Sequence, residues 1–167
     1  IARSAILRRN VDNGIRGGMS KALTVLDLFC GCGGMSWGLS QMGFDVRAGV
    51  DFNKPALATY QANMPKAKAH FADLASVSPQ DCLAELGIEP GSIDVRVGGP
   101  PCQGFSKNVP RSNRYLDGPK NLLVRAFLAF IPVLQPKCIV MENVAEMFNA
   151  FDGAFSTELR ERLVEWG

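Results

Sequence analysis

The sequence has no apolar run long enough to cross a membrane. Its longest one covers nine residues from Ala126 to Leu134 and is interrupted by Pro132, whereas a membrane-spanning helix needs about 20. The arginines near the N-terminus are not followed by a continuous apolar stretch, so no secretory signal is predicted. We expect a cytoplasmic protein with no membrane partner.

Cysteine and histidine are also scarce. The five cysteines are an odd number, too few for a disulfide scaffold, and no two of them have the C-x-x-C spacing of a zinc site. His70 is the single histidine, which argues against a metal role for Cys30 and Cys32. We expect reduced thiols and no bound metal.

Positive charge is lacking over most of the chain. The net charge is +2, but residues 1–21 carry +4, which leaves −2 for residues 22–167. Affinity for nucleic acids depends mainly on Lys and Arg side chains that neutralise phosphates. The body is therefore not a basic nucleic-acid surface by itself, and a strong grip on a duplex needs residues from elsewhere.

What the 167 residues do contain is a regular alternation of short apolar runs with amphipathic stretches. Such an alternation predicts βαβ crossovers, and hence an α/β fold with a doubly wound, mostly parallel sheet. We expect residues 1–20 to be an N-terminal arm or leader and residues 21–167 to form one domain. The predicted strands are Leu23–Phe29, Val46–Val50, Ala67–Phe71, Ile93–Val97 and Cys138–Met141, and the predicted helices span about 34–42, 54–63, 79–86, 120–134 and 154–166.

The ends of the first two predicted strands suit a nucleoside. Ligands of open parallel sheets bind at the carboxyl ends of the strands. There, Gly31, Gly33 and Gly34 let a ligand approach the backbone, and Asp51 after the second strand suits ribose hydroxyls. NAD and S-adenosylmethionine fit this pattern equally well.

Two reactive side chains follow the fourth and fifth predicted strands. Cys102 comes after two prolines on a strand-to-helix connection, where a helix N-terminus favours the nucleophilic thiolate. A lone cysteine is more often structural, but the position on the ligand edge favours a nucleophile. Glu142 ends a buried apolar strand, so it is either neutralised by a neighbour or holds a proton for acid catalysis. The alternative is a carboxylate at the N-terminus of the next helix.

Three stretches contain these residues in a recognisable order: DLFCGCGG at 27–34, GGPPCQGFS at 98–106 and ENV at 142–144. Together they resemble the first, fourth and sixth motifs of the C5-cytosine DNA methyltransferase family, and the resemblance covers about residues 23–150. It implies a Rossmann-like methyltransferase fold that uses S-adenosylmethionine and releases S-adenosylhomocysteine. It also implies that the family's target-recognition region is absent and that the sheet is incomplete at the C-terminus.

The resemblance also implies residue roles. Cys102 would add to C6 of a flipped cytosine while Glu142 binds and protonates N3. Pro101 would belong to the cofactor site and shape the pocket around the flipped base. The implied cofactor-binding residues are Phe29, Gly31, Gly33, Gly34, Asp51, Phe52, Asp73, Leu74 and Pro101, and Gln103 and Ser106 would face the nucleic acid.

Three of these assignments have ordinary structural alternatives. By the resemblance, Phe52 would contact the adenine face and Asp73 the adenine amine. Phe29 and Phe52 could equally be core aromatics, as most Phe residues in apolar surroundings are. Asp73 could be a cap in a strand-to-helix loop.

Arg96 departs from the family's pattern. It interrupts the apolar stretch Ile93–Val97, where the family usually has an aliphatic residue. A charge in a predicted central strand needs either a partner or an outlet to solvent, and the sequence leaves both open.

The function that the resemblance implies is methyl transfer from S-adenosylmethionine to C5 of cytosine in duplex DNA, as in restriction–modification systems. The missing C-terminal segment would be a second partner, and the 167-residue chain alone is expected to be weakly active or inactive. One alternative is an RNA methyltransferase of the related tRNA-methylating branch, and another is a cofactor-binding module that is inactive without a partner segment. A NAD-dependent dehydrogenase has no use for residues 100–103.

Overall fold

The structure is a computed structural model that describes residues 5–8, 21–101, 119–143, 147 and 154–165. These residues form one six-stranded sheet with helices on both faces. The strands are β1 (Ala5–Arg8), β2 (Thr24–Leu28), β3 (Asp45–Asp51), β4 (Lys68–Phe71), β5 (Val95–Gly98) and β6 (Cys138–Met141). The helices are α1 (Gly34–Gln41), α2 (Lys54–Asn63), α3 (Pro79–Leu86), α4 (Pro119–Ala129), α5 (Ile131–Leu134) and α6 (Ala154–Glu165).

The strand order is β1-β6-β5-β2-β3-β4. From β2 the chain proceeds outward through β3 and β4, and then crosses to the other side of β2 to form β5 and β6, all parallel. This arrangement confirms the predicted doubly wound α/β fold, and it places the reversal of strand order between β2 and β5, where open sheets bind ligands. Strand β1 pairs antiparallel with β6, a pairing that no pattern in the predicted arm indicated.

Helix α3 shows how closely local sequence signals set the boundaries. Ser78 accepts a hydrogen bond from the N–H of Asp81 at its N-terminus, and Pro79 occupies the first turn. Gly87 ends the helix in a left-handed conformation at φ 69°. Both boundaries agree with the sequence-based prediction.

The helix predicted over residues 120–134 is wrong in one respect, because the structure divides it into α4 and α5 at Phe130. Pro132 has no N–H to donate to the carbonyl of Leu128, and its ring would clash with that carbonyl in a continuous helix. None of the helices within the described ranges is long and apolar enough to span a bilayer.

Each face of the sheet has its own apolar layer. The α1–α2 layer packs helices α1 and α2 on side chains that include Val25, Val46 and Val95. The α3–α6 layer packs the remaining helices on side chains that include Leu26 and Leu28. Because side chains alternate along a strand, neighbours on β2 and on β5 face opposite layers.

Candidate active site

The glycine-rich segment after β2 forms a tight turn with an unusual backbone. Phe29 has φ 60°, and Gly31 and Gly33 have φ 52° and 91°. Left-handed backbone at an aromatic residue is strained and tends to mark functional sites. A Cβ at Gly33 would lie 2.8 Å from the ring of Tyr60, whereas at Gly31 and Gly34 it would meet nothing within 4 Å. The turn therefore leaves open backbone at its outer positions.

Asp51, at the end of β3, holds this turn in place. Its Oδ2 accepts a hydrogen bond from the N–H of Gly31 at 2.9 Å, and its Oδ1 accepts one from the N–H of Asn53 at 2.8 Å. The side chain is buried. A carboxylate has about four acceptor positions, so Asp51 retains capacity for ribose hydroxyls while it anchors the turn.

Four of the predicted cofactor residues line one cavity of about 150 Å³. Pockets that enclose a whole small molecule are roughly 300–1,000 Å³, so this cavity accommodates one part of a larger ligand. Leu123 of α4 also lines it and was missed by the sequence analysis, because a leucine in a helical stripe is indistinguishable from a core residue. The lining residues are Phe29, Phe52, Ala72, Asp73, Leu74 and Leu123.

The structure decides between some of the alternatives at this cavity. The side chain of Phe52 is 62% exposed, so it is not a core aromatic, whereas Phe29 packs partly against the core. Asp73 Oδ1 accepts a hydrogen bond from the N–H of Ala75, and Oδ2 accepts one from Ser76 Oγ, both at 3.0 Å. Asp73 thus stabilises a local turn at the edge of the cavity.

Glu142 lies at the neighbouring end of β5 and β6. Its N–H donates to the carbonyl of Gly98 at 3.0 Å, and its Oε2 would lie 3.4 Å from a Cβ on Gly99. The carboxylate can therefore approach the backbone at a position without a side chain. The sequence predicts that Glu142 is buried at the end of an apolar strand. This prediction is wrong, because Glu142 lies one residue after the end of β6 and is exposed.

Asn143 joins the two motifs at this edge. Its side chain is buried, and Nδ2 donates to the carbonyl of Pro100 at 3.1 Å. Pro101 follows as the last described residue of this segment and is half-buried. The predicted nucleophile Cys102 and the predicted nucleic-acid contacts Gln103 and Ser106 lie outside the described residues.

This edge fits an S-adenosylmethionine molecule. Open glycine backbone, a carboxylate with spare acceptor capacity and a small cavity with an exposed aromatic ring lie side by side at the carboxyl ends of β2, β3 and β4. Within the ranges that the structure describes, no group of three or more His, Cys, Asp or Glu side chains is arranged to hold a metal ion.

The comparison against protein families gives a match over most of the chain. The sequence model of the C-5 cytosine-specific DNA methylase family matches residues 23–167. The chain belongs to this family. Its motifs at residues 27–34, 98–106 and 142–144 all fall within the matched range.

Similar proteins include type II methyltransferases of bacteria. The chain is 36% identical to M.AgeI of Thalassovita gelatinovora over 84% of its length, which is 32% of that protein. It is 40% identical to M.HgiGI of Herpetosiphon aurantiacus over 73% of its length, which is 90% of that protein. The chain spans about a third of M.AgeI and 39% of M1.HphI of Haemophilus parahaemolyticus.

Solved structures agree on the fold. A prophage-encoded DNA modification methyltransferase of E. coli superposes with a TM-score of 0.72 at 28% identity, over 86% of this chain and 38% of that one. The Dnmt2 methyltransferase of S. pombe superposes with a TM-score of 0.63 over 87% of this chain and 41% of that one, at 23% identity. The Rossmann-like methyltransferase fold is therefore confirmed.

Proposed function

We propose that the protein transfers a methyl group from S-adenosylmethionine to C5 of cytosine in DNA. The observation that carries the proposal is the approach of the Glu142 carboxylate to Gly99, three residues before Cys102 in the sequence. The open glycine turn and the cavity beside Phe52 lie at the same edge of the sheet. The Glu142 carboxylate, Gly99 and the glycine turn after β2 therefore lie at one edge of the sheet, which supports the proposal.

The cofactor would be held by the residues around the cavity. The open backbone at Gly31 and Gly34 suits the amino-acid portion of the cofactor, Gly33 lets the turn pack against the Tyr60 ring, and Asp51 suits the ribose hydroxyls. Phe52 offers an exposed ring to the adenine, with Asp73 and Leu74 beside it. When bound, S-adenosylmethionine supplies an electrophilic methyl group on its sulfonium centre.

The chain's own residues would activate the cytosine. C5 of the ring is too weak a nucleophile to accept a methyl group unaided. The Cys102 thiolate adds to C6 and Glu142 protonates N3, which converts the ring to an enamine with a nucleophilic C5. Once C5 is methylated, loss of the C5 proton, departure of the thiolate and return of the N3 proton to Glu142 restore the aromatic ring, so both Cys102 and Glu142 are regenerated.

The target base must leave the duplex for this chemistry. Cytosine inside a base stack is out of reach of a thiolate, and flipping it out costs on the order of a few kcal/mol. Pro101 would shape the pocket, and Gln103 and Ser106 would face the nucleic acid. Since residues 22–167 carry a net charge of −2, most of the Lys and Arg contacts to DNA phosphates would come from a partner segment.

The experiment that tests this function replaces the nucleophile in the intact protein. Cys102→Ser should abolish methylation of duplex DNA and eliminate the covalent adduct with DNA that contains 5-fluorocytosine. Binding of S-adenosylhomocysteine, measured by calorimetry, should persist because Cys102 belongs to the cytosine side of the site. Parallel assays with tRNA identify the RNA-methylating alternative if only tRNA is modified.

Cys32→Ser is a matched control, because Cys32 is an exposed thiol at the same edge of the sheet. This variant should retain the adduct. Covalent trapping by the Cys102 variant, or its loss in the Cys32 variant, would show that the nucleophile is misassigned.

A further inference from the structure

Arg96 in β5 is fully buried, with 0% of its surface exposed. Arg96 Nη1 donates a hydrogen bond to the carbonyl of Phe127, and the guanidinium carbon lies 3.8 Å from the centroid of the Phe127 ring. Among the described residues, Nε and Nη2 have no hydrogen-bond partner. Burial lowers the pKa of Arg96 to about 9. The sequence thus places a desolvated cation in a core where an aliphatic side chain would pack.

The desolvation of such an arginine opposes folding. A buried charge whose desolvation is only partly compensated can often be replaced by an apolar side chain of similar volume with no loss, or with a gain, in stability. A role for Arg96 must therefore come from what it holds in place. Among the described residues, its hydrogen bond and its aromatic ring contact are both to Phe127.

Phe127 connects Arg96 to the last turn of α4. Carbonyls in the last turn of a helix lack intrahelical partners and form its negative end, which a cation stabilises. The ring of Phe127 also lies against β5, since a Cβ on Gly98 would be 2.8 Å from Phe127 Cε2. Arg96 and Gly98 face the same layer, so Phe127 is held at two successive positions of that face of the strand.

The same helix reaches the cofactor cavity. Leu123 lies four residues before Phe127, on the same side of α4, and lines the cavity together with Phe29 and Leu74. Gly98 is followed by Gly99, which the Glu142 carboxylate approaches. The contacts between Arg96 and Phe127 therefore connect the helix that lines the cavity with the carboxyl end of β5.

We propose that Arg96 is a positioning residue that fixes α4 on β5 so that Leu123 closes the cofactor cavity. This inference rests on the proposed use of that cavity by S-adenosylmethionine. It assigns Arg96 no contact with the cofactor or the base. Replacement of Arg96 should therefore weaken cofactor binding without lowering the stability of the fold, whereas replacement of an ordinary core residue should lower stability and leave binding unchanged.

The test compares Arg96→Met with Val95→Ala in the intact protein, using thermal unfolding and calorimetric titration with S-adenosylhomocysteine. Val95 is the neighbouring residue of β5 and is buried in the opposite layer. Arg96→Met should keep or raise the melting temperature and weaken binding about 5- to 10-fold, a change of roughly 1–1.4 kcal/mol. Val95→Ala should lower the melting temperature and leave affinity within about twofold.

Arg96→Lys should restore part of the affinity, because an ammonium can donate to the Phe127 carbonyl but has no planar face for the ring. Wild-type affinity in Arg96→Met overturns the proposal. An equal loss of affinity in Val95→Ala also overturns it, because the effect would then be general loosening of the core. If the wild-type protein does not bind S-adenosylhomocysteine, both the proposed function and this inference are wrong.

Discussion

The two layers of the sheet each bury one ionisable group on adjacent central strands, and they accommodate it differently. Asp27 of β2 faces the α1–α2 layer and pairs in register with Val97, next to Arg96. Ser36 Oγ donates to Asp27 Oδ2 at 2.7 Å and lies 3.2 Å from the hydroxyl of Tyr60. Arg96 in the α3–α6 layer has only a carbonyl and a ring among the described residues.

The difference follows from the chemistry of the two groups. A carboxylate can lose its charge by taking up a proton, and burial raises the pKa of Asp27 to about 6, with Ser36 opposing the shift and Asp51 adding to it. A guanidinium gives up its proton far less readily. On the α1–α2 side, α1 is therefore bound through Ser36 to a group that can become neutral, whereas on the α3–α6 side α4 contacts a persistent cation.

The largest predicted difference between the layers is the loss of stability when one strand glycine in each layer is replaced by alanine. Gly98→Ala would overlap the carbonyl of Leu28, which is backbone, and the ring of Phe127, so we expect a loss of about 3 kcal/mol or more in the free energy of unfolding. For Gly49→Ala the three nearest atoms all belong to the Tyr60 side chain, which can shift more readily than backbone, so we expect a loss of about 1–3 kcal/mol. Urea unfolding of the intact protein measures both.

A third glycine provides the control. Gly38 lies inside α1, where an added Cβ meets nothing within 4 Å. Gly38→Ala should stabilise the protein by about 0.5–1 kcal/mol, because alanine favours the helix. A smaller loss at Gly98 than at Gly49 would show that the α3–α6 layer is the more adaptable of the two.

The next prediction concerns the pH dependence of stability. The pKa of Asp27 in the folded protein, about 6, lies above its ordinary value of 3.8, so its ionisation opposes folding. The opposing contribution is complete above pH 6 and disappears as the pH falls toward 3.8. Asp27→Asn should therefore raise the free energy of unfolding at pH 7.5 by about 2 kcal/mol. This gain should shrink toward pH 4.5 in denaturant titrations.

Asp94→Asn is the matched control, with the opposite sign. Against the opposing effect of burial, hydrogen bonds from Lys137 and Thr24 lower the pKa of Asp94. The ionised carboxylate therefore stabilises the fold above its ordinary pKa, and that stability is lost as the pH falls. Asp94→Asn should destabilise the protein at neutral pH. A gain for Asp27→Asn that is constant between pH 4.5 and 7.5 would contradict the assignment of a titrating carboxyl.

The strands could be predicted from the sequence because buried parallel strands are continuous apolar runs. All five parallel strands overlap the predicted segments. The turn at Phe29 and the end of β3 at Asp51 were also predictable, since glycine and acidic residues follow these strands. Strand β1 was not, because its four residues gain their structure from pairing with β6.

The residues that sequence reasoning missed depend on packing between distant segments. Leu123 lines the cavity, and Arg96 finds its partner, only because α4 crosses the carboxyl half of β5. Periodicity shows which side of a helix is apolar but not which strand it covers. The exposure of Glu142 was missed for a related reason: it lies one residue beyond β6, where the apolar run no longer indicates burial.

The smallest predicted effect compares a partly buried ion pair beside the α3–α6 layer with an exposed ion pair of β3. In the α3–α6 layer, Arg125 of α4 donates to both carboxylate oxygens of Glu158 in α6, at 2.9 and 2.8 Å, and Arg162 joins at 3.1 Å. In β3, Arg47 and Asp45 form an exposed pair at 3.6 Å.

Arg125 lowers the pKa of Glu158 more than burial raises it, and Arg162 contributes in the same direction. The stabilisation is therefore present above the ordinary pKa and is lost as the pH falls. At pH 7, Glu158→Gln should reduce the free energy of unfolding by about 1 kcal/mol, because the pair is bidentate and only about a quarter exposed. Arg47→Gln should change it by less than about 0.5 kcal/mol. Equal effects of the two variants in urea unfolding would mean that partial burial adds nothing to the pair between α4 and α6.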